Sequence, residues 1–458
     1  MILKSFIIFL PALIAGFGFV HLFWKSQPAS ALALKVFLGI GFGLGITSCL
    51  YFLRLLLFPG QGGYLLIQAL FLALVFVALF SQKRVSLNIS FKSLAVTRLQ
   101  IWLGLAVIFV GVMALCFWII YARLAPHGDY DAQAIWNLRA RFIYRSGDEW
   151  ENAFSPLINR NFHMDYPLLI PLSVVGGWNT LGGEVLRVPA ALSMLFLFGM
   201  AGIIYFVITY LRSSSQGAIA VMILLGTPGL LLFSTFQTAD IPLAYFFLAS
   251  ASLFVLASNE NNRNLLFLSG MMASLSAWTK NEGIPFVMLM VIYTIFAFGI
   301  RQARVNLFSL FAGMALPLLT IVLFKAVISV NNDLFTNNGL SEIISKLFNS
   351  TRYTQILMHL ITELVHLGNW PISIMAVLLV YGWIMGIRKP DKLPEKTIWI
   401  IPLSQFIIYM LIYVITPHDL EWHLNYSMSR LLIHIFPLAL ISFFLFVNTP
   451  ETALSKVK

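Results

Sequence analysis

The chain has 458 residues, 59% of them hydrophobic and only 10% charged, with a formal net charge of +11. Charged residues make up about a quarter of a soluble globular chain, so this composition excludes a water-soluble fold and calls for many membrane-spanning helices. The positive charge is accompanied by no nucleic-acid-reading motif; in a polytopic protein it reflects Lys and Arg placed in cytoplasmic loops, and no nucleic-acid partner is expected.

At roughly 20 apolar residues per crossing, the hydropathy pattern predicts about thirteen spans. They fall near 3–23, 31–57, 63–81, 100–122, 187–211, 217–236, 240–257, 265–279, 284–300, 306–330, 370–387, 397–416 and 431–447. The first carries one lysine and is followed by no small-x-small cleavage site, so it reads as a retained span rather than a signal peptide. Cys49 and Cys116 both lie in apolar runs, where they read as small hydrophobes and offer neither a disulfide framework nor a thiolate metal site.

Orientation follows from the short loops. Segment 82–99 holds Lys83, Arg84, Lys92 and Arg98 without an acid, and Arg212, Arg263, Arg301, Arg304, Arg388, Lys389, Lys392, Lys396, Lys456 and Lys458 follow on the same side by alternation. That side is expected to be cytoplasmic and the N-terminus external, although Lys4 argues the other way. The opposite face then receives the loop 123–186, the Gln237–Asp240 turn, Lys280–Gly283, segment 331–369 and segment 417–430. Two outer stretches, 132–144 and 340–366, are amphipathic and too polar to cross, which suits helices lying at the interface. In the first, Ile135, Trp136, Leu138, Phe142 and Ile143 share one side, with Gln133, Asn137, Arg141 and Tyr144 opposite.

The polar residues that could do chemistry gather on that outer face. Asp129 and Asp131 straddle a turn just after a span; they could deprotonate an acceptor hydroxyl or bind a divalent cation. Asp131 is equally suited to capping the 132–144 helix. In His163-Met-Asp165-Tyr166-Pro167, the Tyr-Pro step can simply set the entry of the next helix, leaving His163 and Asp165 freer to meet a ligand. Asp240 precedes Pro242 as ordinary helix punctuation would, yet an acid at a membrane boundary inside a bundle is costly. Lys280 and Glu282, two apart at the end of a short span, form either a structural ion pair or an ammonium site for a lipid phosphate. His418 and His423 lack the i, i+4 spacing of a helical zinc pair, so no metal ligands are assigned. Arg430 opens the last span, to bind a phosphate or anchor the helix at headgroups.

Tyr130-Asp131-Ala-Gln-Ala-Ile-Trp136-Asn-Leu-Arg-Ala-Arg141, Asp165-Tyr-Pro-Leu-Leu169, Ala239-Asp240-Ile-Pro242, Trp278-Thr-Lys280-Asn-Glu282-Gly283 and Ser429-Arg430-Leu-Leu432, in this order and on one face, resemble the GT-C superfamily of integral-membrane glycosyltransferases. The likeness covers roughly residues 100–447. It is nearest to the bacterial lipid A aminoarabinose and galacturonic acid transferases, and more distant from protein O-mannosyltransferases.

The resemblance implies an all-α polytopic enzyme of the cell envelope, in the bacterial inner membrane with its site on the periplasmic face. It would move a hexose or pentose from a polyprenyl-phosphate donor to a glycolipid, polysaccharide or protein, with inversion. It further implies Asp131 as base or acceptor-positioning group with Asp129 behind it, and Lys280 and Arg430 on the donor phosphate. Asp240 and Glu282 would shape the sugar pocket, and His163, Asp165, Tyr166, Trp136 and Arg141 would be substrate neighbours. Asp-Ala stands where many relatives have Asp-Glu, which weakens a role for a divalent cation. Residues 1–99 would form helices peripheral to the site, 100–447 the catalytic domain with its outer loop 123–186, and 448–458 a cytoplasmic tail.

A lipid-linked donor already carries its leaving group, so the chemistry needs a base, cations for the departing phosphate and an apolar groove, but no nucleotide-binding glycine loop. The competing class is a transporter or flippase for a lipid-linked sugar. Such proteins more often bury charges mid-helix and show internal repeats.

Overall fold

Apolar runs this long close their backbone hydrogen bonds within helices, and helices account for most of the described residues. The structure is a computed structural model that describes residues 2–60, 62–83, 97–155, 157–158, 163–328, 339–390 and 392–455. Among these residues no strand forms, and one isolated bridge joins Ile387 and Val447. Arg84 and Lys92 of the expected cytoplasmic loop, the start of segment 331–369, Lys456 and Lys458 lie outside the described residues.

Among the described residues, eight helices are long and apolar enough to cross a membrane, or up to ten if two sharply bent pairs each count as one span. The shortfall from thirteen has local causes. The first predicted span breaks into Ile2–Ile7 and Leu10–Phe23. The 217–236 segment bends by 62° between Ser214–Leu225 and Pro228–Thr235, where Pro228 cannot donate into the preceding turn. Residues 370–387 supply only Ile374–Met385, bent by 80° against the helical stretch Ser350–Asn369. Segment 284–300 is a short apolar helix, Gly283–Gly299, continued after a break at Gly299. Conversely, Leu169–Leu181 forms a buried helix that the sequence presents as the end of a loop; Pro171 fits its first turn, where no intrahelical donor is needed.

Helix Asp240–Glu260 is the axis of the bundle, with 94% of its apolar window buried. Helices Arg187–Leu211, Arg263–Thr279 and Leu420–Phe446 pack around it. Helix Ala29–Leu57 also lies deep, 78% buried over its apolar window. Gly41 N–H donates to Tyr245 Oη at 2.9 Å, and Trp278 Nε1–H donates to Ser48 Oγ at 3.0 Å. This helix is therefore built into the core, whereas Tyr64–Ser81 is only 22% buried over its apolar window. Arg98–Leu124, only 11% buried, stands at the edge with a largely lipid-facing surface.

The two expected interfacial stretches take distinct forms. Residues 132–144 begin with a π-helical turn, Ala132–Trp136, and pass into an α-helix, Asn137–Ser146. The extra residue per turn rotates the following face, so Asn137, expected on the polar side, is buried together with Arg139. Segment 340–366 is two helices, Leu340–Leu347 and Ser350–Val365. Lys346 Nζ donates to Thr416 O at 2.9 Å, while Arg352 donates to Val414 O and Tyr413 O at 2.9 and 3.1 Å. Cationic side chains thus satisfy carbonyls where helix Ile400–Ile415 ends.

Candidate active site

Asp240 is the hub of the site. It is the first residue of its helix and makes no N-cap. Instead, one carboxylate oxygen takes Lys280 Nζ at 2.9 Å and lies 2.8 Å from His434 Nε2. The other accepts from Arg430 Nε and Nη2 at 3.1 and 2.9 Å and from Thr238 Oγ1 at 2.9 Å. The residue has no exposed surface. A carboxylate can be buried only when paired and fully hydrogen-bonded, so this one fixes two cations in place. Pro242 lies in the helix's first turn, and Gly283 lets the Lys280–Glu282 turn fold against the preceding helix: a Cβ there would lie 2.3 Å from the Ser276 carbonyl carbon.

Asp131 approaches the same hub from the opening loop. Its backbone is already helical and its side chain caps nothing; Arg430 Nη1 donates to it at 2.6 Å. The loop is held by its neighbours. Asp129 N–H donates to Phe236 O at 3.1 Å, and Gln237 joins Pro126 O at 3.1 Å to Asn137 Nδ2 at 3.0 Å. Gly128 has φ +74°, and a Cβ there would fall 2.5 Å from Phe236 O; only glycine combines that backbone with so close an approach. Asp129 itself is exposed.

Arg430 is not at the mouth of its helix. The last helix starts at Leu420, capped by Asp419 accepting from Trp422 N–H at 2.8 Å, which puts Arg430 well inside. The hydropathy pattern starts this span too late because its first turns carry Glu421, His423, Asn425 and Ser427. One turn beyond Arg430, His434 also reaches Tyr409 Oη, at 3.3 Å from Nδ1.

Aromatic rings form the facing wall. Tyr166 stacks between His163, at 4.7 Å, and Trp136, at 5.4 Å, with interplanar angles of 10° and 11°. Lys280 Nζ lies 5.8 Å from the Tyr166 ring centre. Behind the stack, buried Arg139 donates to His163 O at 3.0 Å and Tyr166 O at 3.3 Å. Asp165 accepts from Asn281 Nδ2 at 2.6 Å and lies 3.8 Å from Lys325 Nζ, while Lys325 also donates to the Asp165 carbonyl. Asp165 thus ties the stack to the Lys280–Glu282 turn.

Burial pulls the Lys280 ammonium down, but Asp240 and Glu282 outweigh it and hold it above the ordinary lysine value. Burial lifts the Glu282 carboxyl, and Lys280, 3.0 Å away, brings it below the usual range. Burial pushes Arg139 down to about 10, against Asp165 and Tyr166. The Tyr166 phenol lies well above its ordinary value through burial and the nearby Glu282 and Asp165 charges.

These groups enclose a cavity of about 510 Å³ lined by Asp131, Lys280, Glu282 and Arg430 on the charged side and by Trp136, His163, Tyr166, Tyr409, Trp422 and Tyr426 among its rings. Asp165 and Asp240 sit behind the lining. Arg141 turns away, 3.6 Å from Glu184. Sequence pattern alone does not single out His434, Tyr409, Lys325 and Arg139 as site residues; a histidine within an apolar span is the available signal. Helix Ala29–Leu57 contributes no lining residue. Helices Ile400–Ile415 and Leu420–Phe446, which line the cavity, also border a separate apolar groove of about 650 Å³, lined by Phe406, Leu432 and Phe436 among others.

Among the described residues, no group of three or more His, Cys, Asp or Glu is arranged to hold a metal ion. Asp131 and Asp240 are each already paired with a cation, so the donor set does not fit a divalent ion.

A multi-pass helical bundle with a charged, ring-lined cavity agrees with the GT-C-type membrane glycosyltransferases that the chain resembles. More particularly, residues 177–325 match the model of the dolichyl-phosphate-mannose-protein mannosyltransferase family. The matched stretch contains Asp240, Lys280, Glu282 and Lys325, while Asp131 and Arg430 fall outside it. No curated protein and no solved structure shows a significant match to the chain.

Proposed function

We propose that the protein transfers a sugar from a polyprenyl-phosphate donor to an acceptor hydroxyl on the extracytoplasmic side of a bacterial inner membrane, with inversion at the anomeric carbon. The observation that carries this reading is the clamp at the hub: buried Asp240 holds Lys280 and Arg430 on the wall of a cavity that also presents Asp131. Both cations retain N–H groups beyond those used by Asp240 and Glu282, so a phosphate can be bound without breaking the clamp. The apolar groove on the same two helices suits the prenyl chain. Glu282 Oε2, buried with no hydrogen-bond partner, is an acceptor for a sugar hydroxyl, and the ring wall gives sugar faces a surface to stack on. Asp240, sealed from the cavity, acts through the cations it positions.

In the reaction, a phosphate arriving at Arg430 competes with Asp131 for the guanidinium and releases that carboxylate. Asp131 then takes the acceptor's hydroxyl proton as its oxygen bonds to the anomeric carbon. The bond from that carbon to the phosphate oxygen breaks, and polyprenyl phosphate leaves with its new charge on Lys280 and Arg430. The acceptor is a glycolipid such as lipid A, a polysaccharide or a protein. Incubating the purified protein in liposomes with radiolabelled polyprenyl-phosphate hexoses and pentoses and a panel of these acceptors tests the reading. Label should reach an acceptor with wild type and not with Asp131→Asn. Movement of the donor across the bilayer with no transfer would instead establish a flippase.

A further inference from the structure

A second cavity of about 300 Å³ lies between helices Arg98–Leu124 and Arg187–Leu211, with the short helix Ile2–Ile7 as a further wall. Most of its lining is apolar, including Phe6, Trp118, Ile119 and Met194, but Arg123, Arg187 and Ser5 line it too. Other arginines at this end of the bundle have partners: Arg141 and Arg145 share Glu184, and Arg430 binds Asp131 and Asp240. Arg123 and Arg187 make no hydrogen bond or ion pair with any described residue. Ser5 Oγ is buried and has no hydrogen-bond partner among them either.

Helix stability does not account for this set. Arg123 in a last helical turn complements the helix dipole, but Arg187 is the first residue of its helix and opposes it. Both sit at the end of the bundle opposite the basic loops that set orientation, where positive charge is disfavoured. A basic pocket between spanning helices, apolar below and cationic at the rim, has the chemistry of a phospholipid headgroup site.

We propose that this cleft binds an anionic membrane lipid, distinct from the sugar donor, with its phosphate on Arg123 and Arg187, its acyl chains against Trp118 and Met194, and Ser5 donating to a glycerol or ester oxygen. The lipid would fill the seam between the loosely held Arg98–Leu124 helix and the core. Pro126, which also lines the cleft, starts the loop that carries Asp131, and Gln237 holds its carbonyl.

The protein purified into phosphatidylcholine nanodiscs doped with phosphatidylglycerol, then released for native mass spectrometry, provides the test. Wild type should retain phosphatidylglycerol over phosphatidylcholine, and the double variant R123Q/R187Q should lower that preference by about tenfold. R98Q, at the far end of the same helix, should leave it unchanged, and Ser5→Leu should reduce retention of both lipids by filling the cleft. A preference that survives R123Q/R187Q, or that R98Q removes equally, would overturn the proposal. The readout uses no sugar donor, so it stands or falls separately from the glycosyltransfer reading.

Discussion

Two buried charge clusters lie in different parts of the bundle, and they differ in what remains available for a ligand. Around Lys35, which has no exposed surface, the chain satisfies itself: the ammonium donates to Ser26 O at 2.7 Å, lies 3.2 Å from His21 Nδ1 and 5.3 Å from the Trp24 ring centre. Nearby, Trp24 Nε1 and Tyr210 Oη donate to Glu260 at 2.9 and 2.6 Å. Around Asp240, a single carboxylate immobilises two cations whose remaining donors face a cavity. A buried charge is thus not evidence of a site by itself; the arrangement at Asp240 is a site because its cations are positioned and only partly used.

Substitutions should separate the two clusters. The largest effect is expected at Asp131: Asp131→Asn should lower sugar transfer by about 10²- to 10⁴-fold, measured on protein whose melting temperature is preserved. Lys280→Met should weaken donor use and also destabilise the fold by about 3–5 kcal/mol, because buried Asp240 loses one of its charged partners; denaturation in detergent measures the second part and donor KM the first. Lys35→Met should cost about 1–3 kcal/mol by leaving the Ser26 carbonyl unpaired, with transfer per folded molecule unchanged. Lys325→Met, one layer behind the ring stack, should raise the donor KM by no more than about tenfold with kcat nearly kept. A kcat loss there as large as at Asp131 would move the reacting centre to the Asp165 side. Chelation with EDTA should leave transfer unchanged, given how the acids are engaged.

Much of this was legible in the sequence, for reasons of composition and spacing. Membrane immersion and the all-helical class follow from the scarcity of charge, and the polar segments carrying Asp131, Tyr166, Asp240, Lys280 and Arg430 stood out against apolar surroundings. Their partnerships were not legible. Asp240 and Arg430 are separated by 190 residues in sequence, and nothing in either segment shows that the arginine joins both acids. The π turn at Ala132–Trp136 was equally hidden, since an amphipathic pattern reads at the α-helical period and one additional residue shifts every face beyond it. Span limits were not legible where helices break, at Pro228 and Gly299, or where a helix lining the cavity is polar at its start, as at Leu420.

The cation clamp is tested most directly by binding the leaving group alone. Polyprenyl monophosphate, titrated into the detergent-solubilised protein, should raise the melting temperature of wild type and of Lys35→Met, while the uncharged polyprenol should do so far less. In Lys280→Met the shift caused by the phosphate should fall to that of the alcohol. If the alcohol stabilises wild type as well as the phosphate does, or if Lys280→Met keeps the full phosphate-dependent shift, Lys280 and Arg430 are not a donor-phosphate site.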